Sequence, residues 1–394
     1  MGCLGLVAHG VSVPIEKHRR EEFKRRAIYM SKQFDTIIFS LDRGVKEPFE
    51  EEDDYVRVVR LPRSYIKSAV FLKRLARSYD VDVLFCDTLG DAIPASYVSM
   101  GRRRPALIVF IQAHEASLNA LFLRKRMGIE VKRGLLEVLF WPKDAAIIRL
   151  SDKVLCVSKW LMRYARALAR GKEVAYIPHS LAYVKDLPRD HTWLKSLLAR
   201  VASRAGVDED ELKLVCYSGV LSANKRPDIA IRAQALVVKE FPECVLLVAG
   251  GGPELRSTIA LSRRLGMSSN VMFLGQIPQY RAITLVSGCH VMIHPSLSEG
   301  WGLSMGEAMA LGCPVVCYAS ESAIELTRGM GGVLIRSLDP SEYARAICEL
   351  LSDEKLRTKI IEKASELVKP YLELPEEERF EIICEHIQDY MRGR

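Results

Sequence analysis

Two glutamates that flank a glycine-bearing turn are the most chemically suggestive pair in this 394-residue chain. In HPSLSEGWGLSMGEAMALGCPVV, Glu299 precedes Gly300 and Gly302, and a helical pattern from Leu303 carries Ser304 and Glu307 and closes at Gly312. Glycines ahead of a helix let backbone N–H groups approach an anion, and the helix N-terminus adds partial positive charge. A diphosphate suits such a turn. Two carboxylates facing that diphosphate would repel it, so they are better placed to accept hydrogen bonds from hydroxyls on either side of it. Ribose, diphosphate and sugar have that layout in a nucleoside diphosphate sugar. The plainer alternative is a glycine turn that caps an ordinary helix.

Further polar residues stand where apolar runs end. In YSGVLSANKRPD a strand pattern ends at Gly219, and Lys225 and Arg226 open the next helix. VAGGGPE (248–254) and VMFLGQIP (271–278) are strand-then-turn segments, the second delivering Gln276, Ile277 and Pro278. FIQAHEAS places His114 just after a strand, and His9 and Gly10 close the first apolar run. Each is weak alone: a lysine at a helix start is commonly solvated, and a lone histidine is commonly structural.

These residues need a scaffold that presents strand ends, and the pattern supplies one. CLGLVAH, DTIIFSL, YVRVVRL, VDVLFCD, ALIVFIQAH, KVLCVS and EVAYIP are short apolar runs alternating with helical stretches such as 16–33 and 65–79. The alternation restarts with LKLVCYSG, CVLLVAGGG, VMFLGQ, HVMIHPS, PVVCYA and GVLIRS, with helices expected at 225–240, 253–266, 278–287 and 303–311. Alternation of this kind implies parallel sheets covered on both faces. The fold class is therefore α/β, with two doubly wound Rossmann-like domains facing a central cleft. The expected boundaries are 1–183 for the first domain, 184–212 for the connection, 213–370 for the second domain, which carries the diphosphate turn, and 371–394 for a helix packing back towards the first domain. Ligands of doubly wound sheets bind beyond the carboxyl ends of the strands.

The motif EG-x-GL-x4-EA-x3-G-x-PVV, with its E-x7-E pair, resembles the signature of retaining GT-B glycosyltransferases of the "glycosyl transferases group 1" family. The resemblance covers most of the chain and is densest from 212 to 335. It implies that Glu299 binds donor-sugar hydroxyls, that Gly300, Gly302, Leu303 and Ser304 contact the diphosphate, and that Glu307 binds the ribose. It aligns Gly219, Leu221 and Lys225 with the family's G-R-L-x3-K, where arginine and lysine neutralise the leaving diphosphate; Val220 stands where the family has its arginine, and Arg226 could supply the second charge. It sets Gln276, Ile277 and Pro278 by the nucleotide base. His114 and Gly10 fall on the acceptor side, with His114 supporting sugar or acceptor. The family's IPNG-like segment is altered to Pro178, His179 and Ser180. The resemblance further implies transfer with retention, without a metal or cofactor, of a hexose from GDP-mannose or a UDP-sugar to a lipid-linked or glycan acceptor, loosely as in mannosyltransferases. A sugar-nucleotide epimerase of the same fold, or a nucleotide-sugar-binding relative that has lost activity, are the alternatives.

Composition bounds the setting. Residues 1–200 carry 36 Lys/Arg and 23 Asp/Glu, whereas residues 201–394 carry 21 and 26. Such asymmetry suggests that one half faces something anionic. The stretch 118–143 mixes LFL and LLEVLFW with RKR and KR and could lie on an anionic membrane surface, and Arg102, Arg103 and Arg104 form another basic cluster, read as a solvated loop. No nucleic-acid motif accompanies the charge. No apolar run reaches the ~18–20 residues of a membrane span, and the N-terminus lacks the layout of a signal peptide. A cytoplasmic protein is expected, peripheral on the inner face of the membrane. The ten cysteines are scattered without C-x-x-C, which favours buried thiols over a metal site.

Overall fold

The computed structural model describes residues 2–15, 21–100, 104–113 and 133–392, with residues 21 and 133–140 as backbone only. His114, Arg102, Arg103 and residues 118–132 lie outside the described residues. The chain divides into two compact units, one holding the described residues up to His179 together with 376–392, the other holding 180–375.

In the first unit, β1 (Cys3–His9), β2 (Asp35–Asp42), β3 (Phe49–Glu52), β4 (Arg57–Pro62), β5 (Val83–Cys86), β6 (Ala106–Ile111), β7 (Lys153–Cys156) and β8 (Glu173–Tyr176) form one sheet. Its order is β3-β4-β2-β1-β5-β6-β7-β8. The central strands β5 and β6 are buried along their whole length, as expected of parallel strands covered on both faces. The helices described here are α1 (Glu21–Ser31), α2 (Tyr65–Ser78), α3 (Ala92–Val98), α4 (Arg133–Leu150) and α5 (Lys159–Ala169). β3 was not expected from the sequence, because FEEE has neither an apolar run nor an apolar alternation. It is an edge strand, antiparallel to β4, and cross-strand charge holds it: Arg60 Nε donates to Glu51 Oε2 at 2.6 Å. Arg104 also departs from expectation. Its guanidinium forks onto both Asp152 oxygens at 2.7 and 2.8 Å, a structural pair rather than a solvated loop residue.

The second unit contains α6 (Tyr183–Asp186), α7 (His191–Ala205), β9 (Lys213–Ser218), α8 (Pro227–Val237), β10 (Cys244–Ala249), α9 (Leu255–Arg264), β11 (Val271–Gly275), α10 (Gln279–Ser287), β12 (Val291–His294), α11 (Leu303–Ala310), β13 (Val315–Tyr318), α12 (Glu321–Thr327), β14 (Val333–Ile335), α13 (Pro340–Ser352) and α14 (Glu354–Glu373). The sheet runs β11-β10-β9-β12-β13-β14 and every pairing is parallel. Val215, Ile229, Leu246, Val248, Ile293 and Ile347 are among its buried core. The order reverses between β9 and β12, which makes the crevice beyond their carboxyl ends the switch point where such sheets take ligands. Residues 184–212, expected as a connection, are instead integral to this unit. Asp190 accepts from Trp193 N and from Arg281 Nε, each at 3.0 Å, its own N–H donates to Thr284 Oγ1, and α7 buries Leu197, Val201 and Ala202.

The last helix, α15 (Glu376–Arg392), is counted with the first unit and buries Phe380, Ile383, Cys384 and Ile387. Charge fixes it there. Arg379, 1% exposed, donates to Glu22 Oε1 and to the Pro178 carbonyl, both at 2.8 Å. Arg25 pairs with Glu376 at 2.6 Å, and the buried Arg26 pairs with Asp87. Burial pushes His179, at the edge of this network, down to about 3, with Arg379 pushing the same way. Burial opposes charge on Glu22, yet Arg379, with His179 and Arg26, holds its carboxyl well below the ordinary range. Nothing in the sequence pairs residues 22 and 379.

Candidate functional site

The residues singled out in the C-terminal half gather around the switch point of the second sheet in three groups. The first lines a cavity of about 260 Å³ beyond the ends of β9, β10 and β11, with Gly219, Val220, Gly250, Gly251, Gln276 and Ile277 on its walls. Backbone contacts build this pocket: Gly250 N donates to Gly275 O at 2.7 Å, and Leu221 N to Gly251 O at 2.9 Å. Gly250 has a φ of +139°, and a Cβ there would lie 1.8 Å from Gly219 O, so only glycine allows the two turns to meet. The cavity falls just below the ~300–1,000 Å³ usual for drug-sized ligands, a volume suited to a flat heterocycle.

The second group joins the turn after β9 to the turn after β12. Lys225 does not open α8 as expected. It sits in the preceding loop, because Arg226 takes a left-handed conformation (φ +47°) and Pro227 starts the helix. From there Lys225 Nζ forms an ion pair with Glu299 Oε1. Glu299 is half-buried there, and His294 Nε2 lies 3.2 Å from the same oxygen. Burial raises the cost of charge on Glu299, but Lys225 and the His294 hydrogen bond outweigh it and keep the group ionised. Burial lowers the His294 pKa, against the pull of Glu299. Asn224 stitches the loops together, its Nδ2 donating to Ser298 O at 2.7 Å and its carbonyl accepting from Leu297 N at 2.9 Å. Neither His294 nor Asn224 was foreseen. His294 ends an apolar strand with a polar group, which was the available signal, whereas Asn224 looked like any loop residue. Arg226 is clamped by Asp228 through two bonds of 2.8 and 2.7 Å, so its charge is already matched.

The third group surrounds α11. Gly302 caps it in a left-handed conformation, with Leu303 as its first residue, and the first-turn amides of any helix lack intrahelical partners. Gly300, Ser304 and Glu307 belong to the same loop and helix. Glu307 accepts from Tyr183 Oη at 2.7 Å and Gln279 Nε2 at 3.2 Å. Burial raises its pKa and these two donors offset part of the rise. Gln279 directly follows Pro278, so Glu307 ties α11 to the Gln276–Ile277–Pro278 turn.

The first unit has its own switch point, between β1 and β5. His9 ends β1, and Gly10 follows with φ +62°. His9 Nδ1 pairs with Asp91 Oδ1 just ahead of α3, and Thr88 Oγ1 donates to Asp91 Oδ2 at 2.9 Å. A carboxylate on one ring nitrogen fixes the tautomer and leaves the other for chemistry. The sequence showed His9 but not its partner, 82 residues away. Among the described residues all ten cysteines are buried and unpaired, and no group of three or more His, Cys, Asp or Glu is arranged to hold a metal.

Comparison with known proteins bears on the family and the fold. Residues 202–367 match the family described as Glycosyl transferases group 1. A Bacillus subtilis (strain 168) protein named "Putative glycosyltransferase EpsD" is 25% identical over 318 residues, 80% of each chain. A D-inositol 3-phosphate glycosyltransferase of Acidothermus cellulolyticus is 35% identical over 176 residues, 42% of this chain but only 39% of that protein. The structure of HepE from Anabaena in complex with UDP-glucose superposes with a TM-score of 0.69 at 16% identity, covering 98% of this chain and 99% of the other. With two Rossmann-like units and the group 1 match lying across the switch-point site, the chain is a glycosyltransferase of GT-B fold, and its residues 202–367 match the glycosyl transferases group 1 family.

Proposed function

We propose that the protein moves a hexose, with retention at the anomeric carbon, from a nucleoside diphosphate sugar to a lipid-linked or glycan acceptor. The observation that carries this reading is the Lys225–Glu299–His294 cluster beside a glycine-walled cavity at the switch point. The base and ribose occupy the cavity and the neighbourhood of Glu307. The diphosphate takes Lys225 and the first turn of α11, and the sugar hydroxyls take Glu299, so donor binding exchanges the Lys225–Glu299 pair for two contacts with substrate. His294 and Asn224 keep Glu299 and Lys225 in place meanwhile. Positive charge on the leaving diphosphate then comes from Lys225 and the helix, and the reaction needs no metal; unchanged turnover in EDTA is the expected result. A UDP-sugar is the favoured donor, since HepE binds UDP-glucose; GDP-mannose is the competing one. His9, oriented by Asp91, serves the acceptor hydroxyl. An acceptor held at an anionic membrane surface accounts for the basic first half.

The deciding experiment is a thermal-shift series with UDP, GDP, UDP-glucose and GDP-mannose. Stabilisation by one nucleotide and its sugar supports the reading, and no shift with any of them overturns it. A second reading, a nucleotide-sugar-binding relative without activity, is favoured by Val220, which stands 56% exposed on the cavity wall where the family has its diphosphate-neutralising arginine. Binding with neither transfer nor slow donor hydrolysis would select it.

A further inference from the structure

We infer that the outward face of α2 docks on an anionic lipid bilayer, a proposal that rests on the membrane-surface reading just given and assigns it a site. α2 turns Ser68, Ala69, Leu72 and Ala76 inward. At 3.6 residues per turn the outward stripe carries Ile66, Val70, Arg74 and Arg77, with Lys73 half-buried at its flank. Ile66 is 81% and Val70 58% exposed, although both are β-branched apolar residues on a helix with an otherwise ordinary buried side. Tyr97 and Met100, at the end of α3, are exposed as well, and Lys73 Nζ sits 4.9 Å from the Tyr97 ring centroid. The groove between the two helices encloses about 530 Å³ and is lined by Val70, Lys73, Arg74, Arg77, Ser78 and Tyr97. Residues 55–79 contain seven Lys/Arg and no Asp/Glu.

A soluble polyanion would use the cations but has no use for Ile66 and Val70. A bilayer rich in anionic lipid uses both, headgroup phosphates meeting Lys73, Arg74 and Arg77 while Ile66, Val70, Tyr97 and Met100 reach the acyl boundary. Contact is interfacial, since no helix among the described residues is long and apolar enough to cross a membrane. α2 lies outside the stretch 118–143, where the sequence suggested such contact.

The test is co-sedimentation of the full chain with phosphatidylcholine vesicles, with and without phosphatidylglycerol, at low and high salt. The unaltered chain should bind only the phosphatidylglycerol vesicles, and less well in salt. Each cation contributes about fivefold near an anionic surface, so Lys73→Ser/Arg74→Ser/Arg77→Ser should weaken binding about 100-fold. Ile66→Ser/Val70→Ser should weaken it too, with every charge intact. Circular dichroism and nucleotide thermal shift should remain as in the unaltered chain for both variants. If the unaltered chain binds neither vesicle, the surface and the membrane reading both fall. If it binds and both variants bind equally well, the α2 surface alone is overturned. If only the charge variant loses binding and soluble polyphosphate displaces the chain, the face reads a free polyanion and the bilayer proposal is overturned.

Discussion

Lys225 and Glu299 neutralise each other across two loops in the free protein, and each is matched to a different part of the proposed donor. Glu299→Gln preserves the shape and removes the charge, so it should cost transfer about 10²–10³-fold while Lys225, freed, still binds nucleoside diphosphate. Lys225→Met should show the reverse order of damage, losing diphosphate binding first. Calorimetric titration with UDP separates the two, and equal damage to binding in both variants would sink the assignment. Val220→Arg should raise transfer if the position is the family's missing charge; an unchanged rate would mean that Lys225 suffices. On the other unit, His9→Ala and Asp91→Asn should lower transfer by about 10²-fold and leave nucleotide binding alone. The single residues Glu299, Lys225 and Glu307 were legible because glycines, strand ends and spacing marked them. That Lys225 and Glu299 pair with each other was not, because pairing depends on how loops 74 residues apart meet, and a one-dimensional pattern does not encode that.

At the scale of elements, turns and a single helix decide the outcome. Gly250→Ala would force a Cβ onto Gly219 O in an already left-handed stretch, so it should lose several kcal/mol of stability or abolish nucleotide binding; urea unfolding measures which. The docking of α15 is more sensitive to acid. An unfolded histidine titrates near 6.5, whereas His179 stays neutral down to about 3 in the folded unit. The stability it contributes is therefore full above about pH 6.5 and is lost as pH falls towards 3. Glu22 contributes in the same direction, fully above about 4.5 and less below it. Urea midpoints should thus decline from pH 6.5 downward, and His179→Gln should flatten the upper part of that decline. Arg379→Met should cost about 1.5–3 kcal/mol, because it removes the nearer of Glu22's two arginines and leaves only Arg26, 3.7 Å away. Buried parallel strands were readable as apolar runs. β3 was not, since its stability comes from glutamates facing arginines, a signal that single-strand hydropathy scores as loop.

For the molecule as a whole, the two sheets divide the labour. Nucleotide should slow amide exchange at the ends of β9, β10 and β11 and leave β1, β2 and β5 of the first unit unchanged; protection confined to the first unit would contradict the placement of the donor. The alternation of strands and helices announced two α/β units, and a helix over 371–394 was expected to pack back towards the first; the charge pairs that fix residues 376–392 there were not foreseen. That discontinuity bears on synthesis. A ribosome makes β1 to β8 early, but the helix whose Arg379 satisfies Glu22 follows only after the entire second unit has been translated. The second unit can close while still being extruded, whereas the nascent first unit must wait with a buried-to-be glutamate unmatched and the groove for Phe380 and Ile383 open to water. Folding in the cell is then expected to run against the order of the chain, with the earlier-made unit dependent on chaperone cover until the final helix arrives.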